Sequence, residues 1–133
     1  MHHCERRFPA RAEHVSDARR QVLDLARGNG VPDAALDDVR LAVSEAVSNA
    51  VVHGYRDGTD GAITVFAEAY DHRLRVVVTD EGCGMSPHAG STGAGLGLPL
   101  IAELTESMSV RPSLSGRGTT LCMTFHLPVG AAA

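Results

Sequence analysis

Residues 63–80, ITVFAEAYDHRLRVVVTD, place the strongest constraint on what this chain can fold into. Apolar residues alternate with polar or small ones on both sides of the short stretch 70–72, which is the pattern of two strands joined by a hairpin. Helical periodicity precedes this hairpin and a Gly-rich segment follows it. A sheet built from hairpins, with helices packed against it, is therefore the expected architecture.

The rest of the chain extends this pattern to the order β-α-α-β-β-α-β-β. The other predicted elements are a strand over 2–10, helices over 13–30, 32–54 and 98–106, and strands over 107–110 and 118–128. Because hairpins join most strands, the predicted fold class is α+β, a two-layer α/β sandwich with a mixed sheet and helices on one face. A chain of 133 residues is expected to form a single domain, 1–133, with an ordered core over about 5–128 and a short Ala-rich tail.

Charge and cysteine content exclude several classes of protein. The net charge is −4 and all 12 basic residues are Arg. This composition argues against a general nucleic-acid binder, and it rules out a Walker A motif, which needs Lys. The three cysteines, Cys4, Cys83 and Cys122, show no metal-binding spacing and are interpreted as reduced thiols. No apolar run resembles a signal peptide or a membrane span, so a cytoplasmic protein without a membrane partner is predicted.

A polar pair lies on the second predicted helix. Glu45 and Asn49 are four residues apart and share a face, opposite an apolar stripe that is expected to face the core. The stripe consists of Leu36, Val39, Val43, Val47 and Ala50. The pair can be a solvated surface or the wall of a site. In a site, the amide oxygen can ligate Mg²⁺ and the carboxylate can take a proton.

Asp80 follows the apolar residues Leu74, Val76 and Val78 on the same face of a predicted strand. An acidic side chain is thus expected on the apolar side of the sheet, where burial is costly unless the group is hydrogen-bonded. It can form an Asx-turn or a helix cap before Gly82, or it can accept a hydrogen bond from an amino group of a ligand. In the second case Gly82 and Gly84 would leave room for a flat ring.

Residues 91–98, STGAGLGL, contain three glycines directly before the third predicted helix. The run does not match the dinucleotide-binding fingerprint, because Leu98 stands where that pattern requires a third Gly. Two interpretations remain: a Gly-rich linker, or a segment whose backbone amides bind an anion at the start of a helix.

Taken together and in order, these motifs resemble the GHKL (Bergerat-fold) ATPase superfamily from about residue 5 to 128. They are E-x-x-x-N at Glu45 and Asn49, D-x-G-x-G from Asp80, G-x-G-L-G-L from Gly93, and G-T-T from Gly118. The compact length and the stretch AVSEAVSNAVVHGY are most similar to the anti-sigma-factor serine/threonine kinases of bacterial partner switching. Sensor histidine kinases would need a dimerisation helix pair with a phosphoacceptor His, for which the chain has no room.

The resemblance implies a role for each matching residue and ATP or ADP with Mg²⁺ as cofactors. Glu45 would be the general base, Asn49 would ligate Mg²⁺ at the phosphates, and Asp80 would accept from the adenine amino group. Thr119 would complete that contact directly or through water. The remaining nucleotide contacts would come from Gly84 and Met85 at the adenine, from Gly93, Gly95, Leu96 and Gly97 at the phosphates, and from His53 near the nucleotide.

The resemblance also implies protein partners. The protein would sequester a sigma factor in one state, and in the other it would phosphorylate a Ser or Thr of an anti-anti-sigma (STAS-type) protein. Arg19, on the first predicted helix, would belong to the partner surface, although Arg pairs such as Arg19 and Arg20 commonly serve solubility alone. A homodimer paired through the sheet side near the N-terminal strand is expected.

One departure from the family leaves the activity open. The segment 85–92, MSPHAGST, would form the lid over the nucleotide, yet it contains no Arg or Lys and His88 is its only possible cation. Phosphoryl transfer would then depend on Mg²⁺, backbone amides or an Arg from a partner. A nucleotide-gated protein-binding module with little or no kinase activity is the alternative, and an ATPase domain serving a larger complex is the third hypothesis.

Overall fold

The computed structural model describes residues 2–54, 61–82, 97–113 and 117–127, with His53 described by its backbone alone. The order of strands and helices is the predicted one. The elements are β1 (His3–Pro9), α1 (Val15–Gly28), α2 (Asp37–Gly54), β2 (Ala62–Tyr70), β3 (Arg73–Asp80), α3 (Leu98–Leu104), β4 (Ser107–Pro112) and β5 (Thr119–His126). Short 3-10 turns, Ala12–His14 and Asp33–Ala35, precede α1 and α2.

The five strands form one sheet in the order β1-β2-β3-β5-β4. The α+β fold class is confirmed, but all four pairs of neighbouring strands are antiparallel, where a mixed sheet was expected. The reason lies in the topology: β3 and β4 run in the same direction, and β5 returns between them and separates them.

The core lies between one face of this sheet and helices α1 and α2. On β3 every second residue is buried, as the alternation predicted. Neighbouring β2 and β5 bury the same face, and the apolar stripe predicted on α2 is buried against it. Each fully buried Val, Leu or Ile side chain stabilises the fold by about 1.5–3 kcal/mol. The opposite face, called the outer face below, carries the alternate residues of each strand and is only partly buried.

Two features fix the ends of the strands. The β2–β3 connection is a two-residue turn in which Asp71 and His72 adopt φ values of 46° and 60°. Across β5, the guanidinium of Arg73 donates two hydrogen bonds, of 2.9 and 3.0 Å, to the carboxylate of Glu106. These bonds hold the pKa of Glu106 below its ordinary value. The two features order the end of the sheet that lies away from Asp80.

Helix α3 ends at Leu104, two residues earlier than predicted. Thr105 adopts an extended conformation, and its hydroxyl donates to the carbonyl of Ile101 at 2.9 Å. A Thr side chain that bonds to backbone in this way satisfies a carbonyl that the helix leaves open. None of the helices in the described ranges is long and apolar enough to cross a bilayer.

Candidate active site

Asn49, in the second half of α2, has a buried polar side chain. Only 4% of the residue is exposed, and its Nδ2 atom makes no hydrogen bond to any residue that the structure describes. Leaving a buried polar group without a partner costs about 1–3 kcal/mol. Within the described ranges, no hydrogen bond from Nδ2 of Asn49 offsets this cost.

Glu45 lies one helical turn before Asn49, and Gly97 lies against both. Gly97 adopts φ +65°, and a Cβ atom added there would stand 2.5 Å from Oε2 of Glu45 and 3.8 Å from Nδ2 of Asn49. A side chain at this position would need a backbone conformation that L residues rarely adopt, and it would displace the carboxylate of Glu45. The last glycine of the STGAGLGL segment thus lets the start of α3 approach the polar pair of α2.

The face of α2 that carries Glu45 and Asn49 is more buried than the sequence predicted. Glu45 and Asn49 were placed on a face opposite the core, yet Asn49 is buried and Glu45 is partly buried. Helix α3 packs against α2 and covers this face, and Ile101 of α3 is fully buried. The pair therefore forms a wall between two helices and not an open surface.

Asp80 and Thr119 form a second polar pair at the end of the sheet. They lie directly opposite each other on β3 and β5, with 0% and 1% of each residue exposed. Oδ1 of Asp80 accepts a hydrogen bond of 3.0 Å from the backbone N–H of Gly82, which is the expected Asx-turn. Because a carboxylate offers about four lone-pair sites, the turn is compatible with a contact to a ligand as well.

The β4–β5 connection packs against Asp80 and Glu81 through contacts that sequence patterns did not reveal. The hydroxyl of Ser113 lies 3.0 Å from Oε2 of Glu81 and within hydrogen-bonding distance of the carbonyl of Arg117. Gly118 adopts φ +91°, and a Cβ there would overlap the carbonyl oxygen of Asp80. No local pattern signals these contacts, because they join segments about thirty residues apart in the chain.

Gly118→Ala is expected to destabilise the fold by about 1–3 kcal/mol, because the new Cβ would strain φ and meet the backbone of Asp80. Chemical denaturation measures this change. Gly28→Ala is the matched control, since a Cβ at Gly28 has nothing within 4 Å, and it is expected to stay within about 1 kcal/mol of the parent chain. Equal stability of the two variants would contradict the close contact at Gly118.

Arg19 occupies a distinct place beside this site. Its Nη1 donates to the hydroxyl of Ser44 at 3.1 Å, and Ser44 directly precedes Glu45 in α2. Ser44 in turn donates to the carbonyl of Arg40 at 2.7 Å. Within the described ranges Arg19 has no carboxylate at ion-pairing distance, whereas its neighbour Arg20 pairs with Asp17.

Of the other residues predicted to contact the nucleotide, the structure describes only the backbone of His53. His53 lies in the last turn of α2, with its side chain outside what the structure describes. Gly84, Met85, Gly93, Gly95 and Leu96, and with them the predicted lid, lie outside the described residues. The structure thus brings together Glu45, Asn49 and Gly97 at one place, and Asp80 and Thr119 at another.

The chain is similar in sequence to a known family of ATPase domains and to individual bacterial proteins. The sequence model of the histidine kinase-like ATPase domain matches residues 8–125. A relative from Listeria innocua named serine-protein kinase RsbW is 38% identical, over 90% of this chain and 84% of that protein. A relative from Clostridium acetobutylicum named anti-sigma F factor is 34% identical, over 90% of each chain.

A solved structure is similar to almost the whole chain. It contains the RsbU and RsbW domains of a Mycobacterium tuberculosis protein and aligns with a TM-score of 0.72 at 25% sequence identity. The alignment covers 96% of this chain and 33% of that one. The match over residues 8–125 and the named relatives lead to one conclusion: the chain belongs to the histidine kinase-like ATPase family, and within it to the anti-sigma-factor serine/threonine kinase type.

Proposed function

We propose that this protein is an ATP-dependent serine/threonine kinase that regulates transcription by switching partners. It sequesters a sigma factor in one state and phosphorylates an anti-anti-sigma protein of the STAS type in the other. The buried amide of Asn49 beside Glu45 and Gly97 is the observation that carries the proposal, because this arrangement suits a bound phosphate group better than a packed core. The relatives named serine-protein kinase and anti-sigma F factor support it.

The two polar pairs correspond to the two ends of a bound ATP or ADP. Asp80 and Thr119 would hold the adenine amino group, with Gly84 and Met85 lining the ring. Glu45 and Asn49 would lie at the phosphates. The backbones of Gly93, Gly95, Leu96 and Gly97, and the side chain of His53, would complete the contacts.

The residues present fit Mg²⁺ bound together with the nucleotide. The amide oxygen of Asn49 is a hard ligand of the kind that Mg²⁺ takes, and this cation binds through one or two protein oxygens together with substrate phosphates. The described residues include no group of three or more His, Cys, Asp or Glu that could hold a metal by itself. When bound, Mg²⁺ would neutralise negative charge on the phosphates.

The residues of this chain act on the transfer mainly through position and charge. The carboxylate of Glu45 would accept the proton of a Ser or Thr hydroxyl on the partner. The hydroxyl oxygen would then bond to the γ-phosphorus while the bond to the bridging oxygen of ADP breaks, so that ADP leaves. Because Gly97 has no side chain, the start of α3 can lie close to the Glu45 carboxylate.

Transfer of labelled phosphate tests the kinase directly. The protein is incubated with Mg²⁺, γ-labelled ATP and candidate anti-anti-sigma proteins, and mass spectrometry locates the phosphate. We expect label on one Ser or Thr of a partner.

The segment 85–92, which contains no Arg or Lys, favours a second candidate function, the nucleotide-gated binding module. If ATP binding changes the affinity for the sigma factor but no partner is phosphorylated, the binding module and not the kinase would be the correct function.

Arg19 is proposed to belong to the surface that binds protein partners. Arg19→Glu is expected to weaken sigma-factor binding by about 10-fold, because an interface Arg commonly contributes more than about 1 kcal/mol, while ATP affinity stays unchanged. Surface plasmon resonance and calorimetry measure the two affinities. Arg20→Glu, a neighbouring Arg paired with Asp17, is the control and should have less effect. A loss of ATP affinity in Arg19→Glu would count against this role.

Three further proposals concern the protein as a whole. It acts as one ATP-binding domain over residues 1–133, and it works in the cytoplasm, where its transcriptional partners are found. It forms a homodimer through the sheet side near β1. In the described part of the sheet, β1 pairs only with β2 and so presents an open edge that suits a symmetric contact.

A further inference from the structure

A pocket lies on the outer face of the sheet, away from the residues of the proposed nucleotide site. It has a volume of about 300 Å³ and spans β3, β5 and β4. Its lining consists of Arg75, Val77, Ser109, Arg111, Thr120 and Cys122. Thr120 and Cys122 alternate with buried Thr119 and Leu121 on β5, so the sheet itself separates this pocket from Asp80 and Thr119.

The charge of this pocket is positive. Two guanidinium groups line it, from Arg75 on β3 and Arg111 on β4, and none of the lining residues that the structure describes is acidic. Arg111 has no carboxylate within ion-pairing distance in the ranges that the structure describes. Arg75 pairs with Glu68 at 3.3 Å, toward β2, so part of its charge is already balanced.

The pocket contains several groups that can donate hydrogen bonds. Burial lowers the pKa of Arg75, but contacts with the side chains of Cys122 and Glu68 raise it overall, so the guanidinium stays charged. The hydroxyls of Ser109 and Thr120 lie on neighbouring strands. The Thr120 hydroxyl lies 3.4 Å from that of Thr79, and it can donate to a ligand when it accepts from Thr79. Val77 supplies an apolar wall, which strengthens hydrogen bonds made beside it.

We propose that this pocket binds the oxyanion of a small molecule, a phosphate or a carboxylate group. Guanidinium groups bind such anions through paired, charge-assisted hydrogen bonds, and hydroxyl donors complete the shell. The site is independent of the proposed kinase activity, because its residues face away from the nucleotide pairs.

Inorganic phosphate is the probe that tests this site. The protein is saturated with ADP, so that the nucleotide site is filled, and phosphate is titrated at constant ionic strength while backbone amide signals are followed by NMR. We expect saturable shifts of Ser109, Arg111 and Thr120. Arg111→Gln is expected to weaken phosphate affinity by about 10-fold or more, the effect of losing a charged hydrogen bond.

Two controls distinguish phosphate binding in this pocket from binding elsewhere on the protein. Arg7→Gln, which removes the same charge from the outer face of β1, should leave phosphate affinity unchanged. The shifts of Ser109, Arg111 and Thr120 should give the same phosphate affinity with and without ADP, so failure of the ATP site and failure of this site are distinguishable. Should Arg111→Gln not fold, Ser109→Ala serves in its place, and a smaller loss of affinity is expected.

Three results would overturn the proposal. Shifts that rise in proportion to phosphate without saturation would indicate nonspecific ionic binding. Equal affinity of Arg111→Gln and the parent chain would exclude this pocket. Analytical ultracentrifugation tests a further possibility. If the parent chain shows no saturable phosphate binding and Arg111→Gln no longer forms the dimer, the two Arg residues would instead bind a carboxylate of a second copy of the chain.

Discussion

Glu45→Gln is expected to lower the rate of phosphate transfer by about 10²- to 10⁴-fold, the usual contribution of a general base. The amide has nearly the size and shape of the carboxylate, so the fit against Gly97 should be kept. It cannot accept the proton of the acceptor hydroxyl, because an amide nitrogen is not basic. ATP affinity should therefore remain close to that of the parent chain.

Single-turnover transfer with saturating ATP measures this effect, and calorimetry measures ATP affinity. Glu103→Gln is the matched control, since Glu103 is exposed on α3 and should not affect the transfer rate. A Glu45→Gln variant that transfers phosphate at the rate of the parent chain would remove Glu45 from the mechanism. If transfer and ATP affinity fell together, Glu45 would instead be a residue that binds the nucleotide.

Asp80→Asn is expected to weaken ATP binding by about 10- to 100-fold, the value of a hydrogen bond to a charged group. The new amide would present a donor, or a neutral acceptor, where the adenine amino group meets a carboxylate. Asn can still accept the hydrogen bond from Gly82 N–H, so the Asx-turn should persist. The loss should therefore appear in affinity more than in stability.

Asp71→Asn is the control for this change. Asp71 lies at the opposite end of β3, in the turn before it, and Asn tolerates the positive φ found there. Isothermal titration calorimetry with ATP compares the two variants and the parent chain. Unchanged affinity in Asp80→Asn would show that the adenine amino group is held elsewhere, and equal losses in both variants would indicate a general effect on the sheet.

The strand pattern and the position of Asp80 could be predicted from sequence because they depend on local period. Alternation with period two puts Leu74, Val76, Val78 and Asp80 on one face, and the structure buries all four. The helical stripe of α2 was predicted for the same reason. In each case neighbours along the chain contain the necessary information.

The burial of Asn49 could not be predicted in that way. Helical periodicity gives the face on which a residue lies, but not which element covers that face. Here α3 provides the cover, and Gly97, far along the chain from Asn49, makes its approach possible. The contact of Ser113 with Glu81, the approach of Gly118 to Asp80 and the antiparallel sheet also depend on distant segments.

A crystal structure of the protein with Mg²⁺ and a non-hydrolysable ATP analogue tests the proposed nucleotide site most directly. We expect one nucleotide per chain, with the adenine amino group within hydrogen-bonding distance of Asp80. The metal ion should be bound to phosphate oxygens and the amide oxygen of Asn49, with Glu45 facing the γ-phosphate. An analogue bound away from both polar pairs, or no binding at saturating concentration, would contradict this placement.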